Sequence, residues 1–128
     1  MTVYLDTSAI TKLVRREPET DALRQRLGEP DGAHRVSSAL VLTELRRAVG
    51  DPDERVEALL SALDLVTVDD ELLTDAGRLL TGTRLRSLDA IHLAAVRRLG
   101  SRVSDVITYD HRMADAARAM GLRVTAPA

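Results

Sequence analysis

The sequence has 128 residues, of which 45% are hydrophobic and 30% charged, a composition typical of a folded globular domain and unlike that of a disordered chain. It contains no cysteine, which excludes disulfides, thiolate nucleophiles and cysteine-ligated metal sites, so any metal would be bound mainly by oxygen. The net charge is −2 and two tyrosines are the only aromatic residues, which argues against a globally basic nucleic-acid binder and a base-stacking platform.

The chain has no apolar run long enough to cross a bilayer, and its N-terminus lacks the basic region and apolar stretch of a signal peptide. Its length suits one domain with a substantial hydrophobic core and is too short for two ordinary domains. We therefore expect a single domain over residues 1–128, located in the cytoplasm, with no membrane partner.

Hydrophobic patterns and capping residues predict strands and helices that alternate along the chain. The predicted strands cover residues 2–5, 34–37, 63–68, 106–108 and 122–125. The predicted helices cover residues 6–15, 19–27, 39–49, 52–63, 70–80, 87–99 and 111–120, and the breaker-rich segments 28–32 and 82–86 are predicted loops. Because the strands are continuously apolar and show no tight hairpins, the pattern predicts the α/β class with a parallel sheet covered on both faces.

Four acidic residues lie in unusually apolar surroundings. Asp6 ends VYLD, Glu44 lies inside LVLTELRRAV, Asp89 shares a helix face with leucine and valine, and Asp110 ends VITYD. Each has an ordinary structural explanation, since Asp6 and Asp110 could cap helices, Asp89 could complement a helix dipole and Glu44 could pair with an arginine. Asp6 and Asp110 also follow predicted strands directly, at the edge of a parallel sheet where ligands bind.

If the four acids converge, their mutual repulsion must be compensated, because two like charges 4 Å apart repel by about 4 kcal/mol near a protein surface. A divalent cation would compensate them, and carboxylate ligands completed by water suit Mg²⁺ or Mn²⁺. Such an ion can activate water and neutralise a phosphate oxygen, so the pattern favours phosphodiester hydrolysis.

Several other polar residues are also candidates for a role in a functional site. Thr7 and Ser8 stand at a predicted helix N-terminus and could bind a phosphate or only cap the helix. His92 is interpreted as a packed core histidine, and the exposed-face interpretation is favoured for Asp115. Paired arginines such as those at positions 84 and 86 mostly solvate helix ends, although their forked donors also suit phosphate.

The order and spacing of four motifs over nearly the whole chain resemble the PIN-domain ribonucleases, specifically the VapC-type toxins of bacterial toxin–antitoxin pairs. These motifs are YLDTSA around Asp6, SSALVLTE around Glu44, RSLDAIHLA around Asp89 and TYDHRM around Asp110. The resemblance implies a three-layer α/β/α sandwich around a central parallel sheet, with the four acids in one negatively charged pocket.

The resemblance also implies an activity and partners. The family cleaves RNA in a Mg²⁺- or Mn²⁺-dependent manner, commonly as a homodimer, and a cognate antitoxin inhibits it and binds promoter DNA through its other end. Asp6 and Asp89 would be the main metal ligands, Asp110 a further ligand, and Glu44 would complete the pocket and orient water. Scarce aromatic residues favour RNA held by arginines along its backbone and selected by shape.

Two rival functions remain open from the sequence. A catalytically silent PIN fold used only for binding would keep the architecture without the chemistry. A phospho-acceptor signalling domain also places acids at strand ends, but it needs a lysine near the phosphorylated aspartate, and the only lysine, Lys12, lies within a predicted helix.

Overall fold

The computed structural model describes residues 1–28 and 32–128, so the predicted loop at 28–32 lies partly outside the described residues. Its strands are β1 (Thr2–Leu5), β2 (His34–Ser38), β3 (Asp64–Val66), β4 (Asp105–Ile107) and β5 (Val124–Thr125). Its α-helices are α1 (Thr7–Val14), α2 (Thr20–Leu27), α3 (Val41–Val49), α4 (Glu54–Ser61), α5 (Asp70–Arg78), α6 (Ser87–Leu99) and α7 (His111–Ala119), and a 3₁₀ turn at Gly100–Arg102 follows α6.

The five strands form one sheet in the order β3-β2-β1-β4-β5, and every neighbouring pair is parallel. The strand β1 occupies the centre, with Tyr4 in register with Val36 of β2 and Val106 of β4. The predicted parallel α/β sheet is therefore confirmed. The carboxyl ends of β1, β2 and β4 lie side by side at one edge of this sheet.

Helices cover both faces of the sheet, which gives the predicted three-layer arrangement. Along β1, Val3 and Leu5 pack into a core formed with α1 to α4, whereas Tyr4 packs into a second core formed with α5 to α7. This division follows from the alternation of side chains along a strand, which sends neighbouring residues to opposite faces. None of the helices in the described ranges is long and apolar enough to cross a membrane.

The predicted start of the fourth helix at Pro52 was wrong by two residues. The helix α4 begins at Glu54, because the side chain of Asp53 accepts hydrogen bonds from the amides of Arg55 and Val56 and so caps the helix there. An aspartate that accepts from the second and third amides is a strong helix start, and here it outweighs the preference of proline for a first helical position.

Candidate active site at the carboxyl edge of the sheet

Asp6 lies directly after β1 and caps α1. Its Oδ1 accepts hydrogen bonds from Ser8 Oγ at 2.6 Å and from the Ala9 amide at 3.1 Å, and its Oδ2 accepts one from Thr108 Oγ1 at 2.5 Å. The side chain is almost fully buried. Burial raises the pKa of Asp6, although the hydrogen bonds from Ser8, Thr108 and Ala9 favour the carboxylate and offset part of that effect.

Asp89 lies in the first turn of α6 and is the least satisfied acid of the site. Its Oδ2 is the only buried side-chain nitrogen or oxygen in residues 1–28 and 32–128 that lacks a hydrogen-bond partner. Burial raises the pKa of Asp89, and repulsion from Asp110 raises it further. Arg86 and His92 lower it in part, and Asp6 adds the smallest repulsion. Asp6, Asp89 and Asp110 are therefore close enough to interact electrostatically.

Asp110 is the third residue after β4 and caps α7. Its Oδ1 accepts hydrogen bonds from the amides of Arg112 at 2.9 Å and Met113 at 3.2 Å. Its own amide donates to Thr108 Oγ1 at 3.1 Å, and the same hydroxyl donates to Asp6. The side chain of Thr108 thus connects the segments that follow the two neighbouring strands β1 and β4.

Glu44 enters the site from the first turn of α3. Its Oε1 accepts hydrogen bonds from Thr7 Oγ1 at 2.6 Å and from His92 Nε2 at 2.8 Å. Burial by itself raises the pKa of Glu44, but the hydrogen bonds from His92 and Thr7 outweigh burial, so the net effect is a lowered pKa. Glu44 is therefore held as a carboxylate at neutral pH, and its side chain is 21% exposed.

The four predicted acids lie on four elements that converge on the same edge of the sheet. Among the described residues, none of the four has an arginine or lysine within salt-bridge distance. Also within residues 1–28 and 32–128, no three histidine or acidic side chains are grouped so that they could hold a metal ion. The assembly of the four acids into one metal pocket therefore stays a prediction.

The donor set nevertheless suits a hard divalent cation. The Oδ2 of Asp89 is a buried oxygen without a hydrogen-bond partner, and burial raises the pKa of both Asp89 and Asp6, so ionising these two carboxyl groups costs free energy. A bound cation would remove this cost, because an opposite charge favours the ionised form of a carboxyl group. Carboxylate and hydroxyl oxygens are the ligands that Mg²⁺ and Mn²⁺ prefer.

Sequence reasoning missed one residue of the site, and three others have contacts there that it did not predict. Thr108 was not singled out, although a hydroxyl directly after a strand and two residues before Asp110 is a recognisable signal. His92 is buried, as predicted for a core histidine, but its Nε2 also contacts Glu44. The hydroxyls of Thr7 and Ser8 donate to Glu44 and Asp6, so both side chains orient acids of the site.

Asp115 is exposed on α7, as predicted. Lys12 is held on α1 by Glu19 at 2.8 Å and Glu17 at 3.4 Å, which leaves its ammonium paired and gives the phospho-acceptor hypothesis no free lysine.

An open groove of about 360 Å³ lies between the loop before α6 and the exposed side of α7. Apolar side chains form most of its wall, and Arg84 and Arg112 contribute positive charge. Arg112 belongs to the helical turn that Asp110 caps, so the groove adjoins the carboxyl edge of the sheet.

Comparison with known proteins places the chain within a family. The PIN domain model matches residues 3–119. Ribonuclease VapC46 of Mycobacterium tuberculosis is 49% identical over 129 residues, which cover 98% of this chain and 97% of that relative. Ribonuclease VapC35 of the same species is 39% identical over 131 residues, covering 98% of this chain and 96% of its own length.

Solved structures share the fold. The crystal structure of Mycobacterium tuberculosis VapC20, described as a Sarcin-Ricin loop cleaving toxin, superposes with a TM-score of 0.72 at 19% identity, covering 98% of this chain and all of that one. VapBC2 from Rickettsia felis, bound to a DNA fragment from its promoter, has a TM-score of 0.71 at 17% identity with full coverage of both chains. From its sequence matches, this chain belongs to the PIN-domain family, among the VapC ribonucleases.

Proposed function

We propose that this protein is a divalent-metal-dependent endoribonuclease and the toxic component of a type II toxin–antitoxin pair. The observation that carries the proposal is the buried Oδ2 of Asp89, which has no hydrogen-bond partner. The negative charges of Asp110 and Asp6 repel this carboxylate as well. The matched relatives are named ribonucleases, and this supports RNA as the substrate. The reaction would be hydrolysis of an RNA phosphodiester bond.

In this proposal Asp6, Asp89 and Asp110 hold Mg²⁺ or Mn²⁺. When bound, the ion supplies a Lewis acid for the phosphate and lowers the pKa of a coordinated water. Mg²⁺ in phosphoryl-transfer sites often takes only one or two carboxylates directly, together with waters and substrate phosphate, so a ready-made group of three ligands is not required.

The residues of the chain have separate tasks. Ser8 and Thr108 hold both oxygens of Asp6 in place by their hydrogen bonds. Glu44 stays ionised at neutral pH, and its Oε2, which has no hydrogen-bond partner in the described part of the chain, is the atom that accepts the proton of the attacking water. Arg84 and Arg112 lie along the adjoining groove and would contact the RNA backbone.

RNA cleavage by purified protein tests the proposal. We expect cleavage with Mg²⁺ or Mn²⁺, none with EDTA, and a loss of roughly 100-fold or more in Asp6→Asn and Asp89→Asn, the scale of an essential proton-transfer or ligand group. Asp75→Asn, which makes the same charge change on the exposed surface of α5, is the matched control and should keep full activity. Cleavage that survives EDTA and both substitutions would refute the metal-dependent mechanism.

We further propose an antitoxin and a second copy of this chain as protein partners. A cognate antitoxin would cover the site and would alone contact the promoter DNA; the VapBC2 complex bound to promoter DNA supports an antitoxin partner. We also propose that the protein is a cytoplasmic homodimer, with residues 1–128 of each copy forming one PIN domain. Light scattering should then give twice the 14.0 kDa mass of one chain, and a mass of one chain at micromolar concentration would contradict the dimer.

One observation favours a second candidate, a PIN fold used only for binding. No three potential ligands in residues 1–28 and 32–128 are grouped to hold an ion. Tight antitoxin binding by a protein that cleaves no RNA with either metal would support this candidate over the nuclease.

A further inference from the structure

A buried chain of hydrogen bonds connects the second core to the acids of the site. Tyr4 Oη and His92 Nδ1 lie 2.7 Å apart, and His92 Nε2 lies 2.8 Å from Glu44 Oε1. Tyr4 is fully buried and His92 is 3% exposed, so water does not compete for the contact between these two side chains. We propose that His92 is a positioning residue that fixes Glu44 for proton transfer, an inference that rests on the proposed nuclease function.

The direction of each hydrogen bond follows from the chemistry of the groups. A carboxylate oxygen only accepts, so a 2.8 Å contact with Glu44 requires a proton on His92 Nε2. A tyrosine hydroxyl ordinarily loses its proton only at about pH 10, so at neutral pH Tyr4 Oη can donate to Nδ1 at 2.7 Å. A hydroxyl that donates to Nδ1 leaves the ring proton on Nε2, because the bond at one ring nitrogen determines the state of the other.

Packing fixes the orientation of the imidazole ring as well. The rings of Tyr4 and His92 meet edge to face, with centroids 5.9 Å apart and planes at 79°. This arrangement is favourable for aromatic pairs and restricts rotation of the histidine about its side-chain bonds. The ring therefore presents Nε2 to Glu44 in a single direction.

Glu44 is tied to both helices that carry the central acids. His92 lies three residues after Asp89 on α6, and Thr7 directly follows Asp6 at the start of α1. Both hydrogen bonds end on Oε1 of Glu44, so they fix that oxygen and leave Oε2 available for the proton of water. Without His92, one hydrogen bond from Thr7 remains, and the carboxylate can rotate away from its position relative to Asp6 and Asp89.

Steady-state cleavage of RNA by three variants tests this role. His92→Leu removes the donor and should lower kcat by about 10- to 100-fold with KM changed by less than about 2-fold, the range for residues that orient an active-site group. His92→Gln places an amide donor near the position of Nε2 and should recover most of the loss. Tyr4→Phe keeps the ring but not the hydroxyl, and should lower kcat by a smaller factor than His92→Leu.

A second measurement does not depend on activity. Nitrogen-15 NMR of the metal-free protein should show His92 with its proton on Nε2, and Tyr4→Phe should shift this signal toward a mixture of tautomers. Circular dichroism tests whether each variant is folded. If a variant is unfolded, the NMR spectrum of the wild-type protein still decides which nitrogen of His92 carries the proton.

Three results would overturn the inference: a wild-type His92 protonated on Nδ1 alone, wild-type kcat in His92→Leu, or equal losses in the leucine and glutamine variants. A wild-type protein that cleaves no RNA would instead overturn the proposed function, and the positioning role with it. If the wild-type protein cleaves RNA and His92→Leu is equally active, only the inference is overturned and the proposed function is not.

Discussion

Thr108 and Asp6 are 102 positions apart in the sequence, yet the hydroxyl of Thr108 donates to Asp6 Oδ2 at 2.5 Å. The contact forms because β1 and β4 are neighbours in the sheet, with Leu5 in register with Ile107. The next residue of each strand then meets at the carboxyl edge. The pairing of two strands therefore determines how one acid of the candidate site is oriented.

Substitution of Thr108 tests the importance of this contact. Thr108→Val keeps the volume but removes the donor to Asp6 and the acceptor of the Asp110 amide, so we expect cleavage to fall by about 10- to 100-fold and the Mg²⁺ concentration for half-maximal rate to rise. Thr108→Ser keeps the hydroxyl and should remain close to wild type. A valine variant with unchanged Mg²⁺ dependence would show that Thr108 does not orient a ligand.

Asp89→Asn should stabilise the metal-free protein. Because the pKa of Asp89 is raised in the folded state, the native protein binds more protons than the unfolded chain, and stability falls as pH rises above the ordinary value of 3.8. In EDTA the melting temperature of Asp89→Asn should therefore exceed that of the wild type, by a margin that grows as pH rises above 3.8 and becomes constant above the raised pKa.

Added Mg²⁺ should reverse that order. A ligand at 100 times its Kd stabilises the native state by about 2.7 kcal/mol, and the wild type should gain more than a variant that lacks one ligand. Asp75→Asn controls for the loss of one negative charge and should respond to Mg²⁺ as the wild type does. Equal melting temperatures of wild type and Asp89→Asn in EDTA, or equal gains with Mg²⁺, would contradict the assignment.

The arginines of the groove should affect binding of RNA more than its cleavage. In Arg84→Gln and Arg112→Gln we expect a higher KM with nearly unchanged kcat, since backbone contacts hold substrate and transition state alike. Each lost phosphate contact should lower the slope of log affinity against log salt by about 0.7 to 0.9. Arg97→Gln is the control, because Arg97 lies at the other end of α6, about 12 Å along the helix from Asp89.

A groove that does not contact RNA would give a different pattern. Unchanged salt dependence in Arg84→Gln and Arg112→Gln would place the RNA path elsewhere on the surface. An effect of Arg97→Gln as large as that of either groove variant would do the same.

The opposite edge of the sheet contains a buried ion pair that should matter for stability alone. Arg26 on α2 donates from Nη2 to both oxygens of Asp105, at 2.9 and 3.0 Å, and Asp105 is 2% exposed at the start of β4. Arg26→Met leaves this carboxylate buried without its cation and should cost about 3 kcal/mol in the free energy of unfolding. The measurement is urea denaturation.

The exposed pair of Arg16 and Asp21 provides the comparison. Both side chains are about 70% exposed, so Arg16→Met should cost less than about 1 kcal/mol. Folded Arg26→Met should also keep normal RNA cleavage at a temperature well below its melting point. A loss below 1 kcal/mol in Arg26→Met would indicate that the hydroxyls of Ser104 and Thr125, which also donate to Asp105, suffice without the arginine.

The sequence alone predicted the class of fold because its signals are local. Continuous apolar strands that alternate with amphipathic helices predict a parallel sheet, and the structure confirms it. The sequence did not predict the strand order β3-β2-β1-β4-β5, because pairing depends on contacts between distant segments. The same limit applies to the site: Asp6 and Asp110 were recognisable at strand ends, whereas the contacts of Thr108 with Asp6 and of His92 with Glu44 join residues far apart in the chain.

The central strand β1 contributes side chains to both hydrophobic cores and leads directly into the candidate site. Val3 and Leu5 serve one core, Tyr4 serves the other, and Asp6 follows at the site. A substitution at any of these four consecutive positions therefore changes the packing of a core or the arrangement of the acids. The edge strands β3 and β5 have one neighbour each, so a substitution there disturbs the pairing with a single strand.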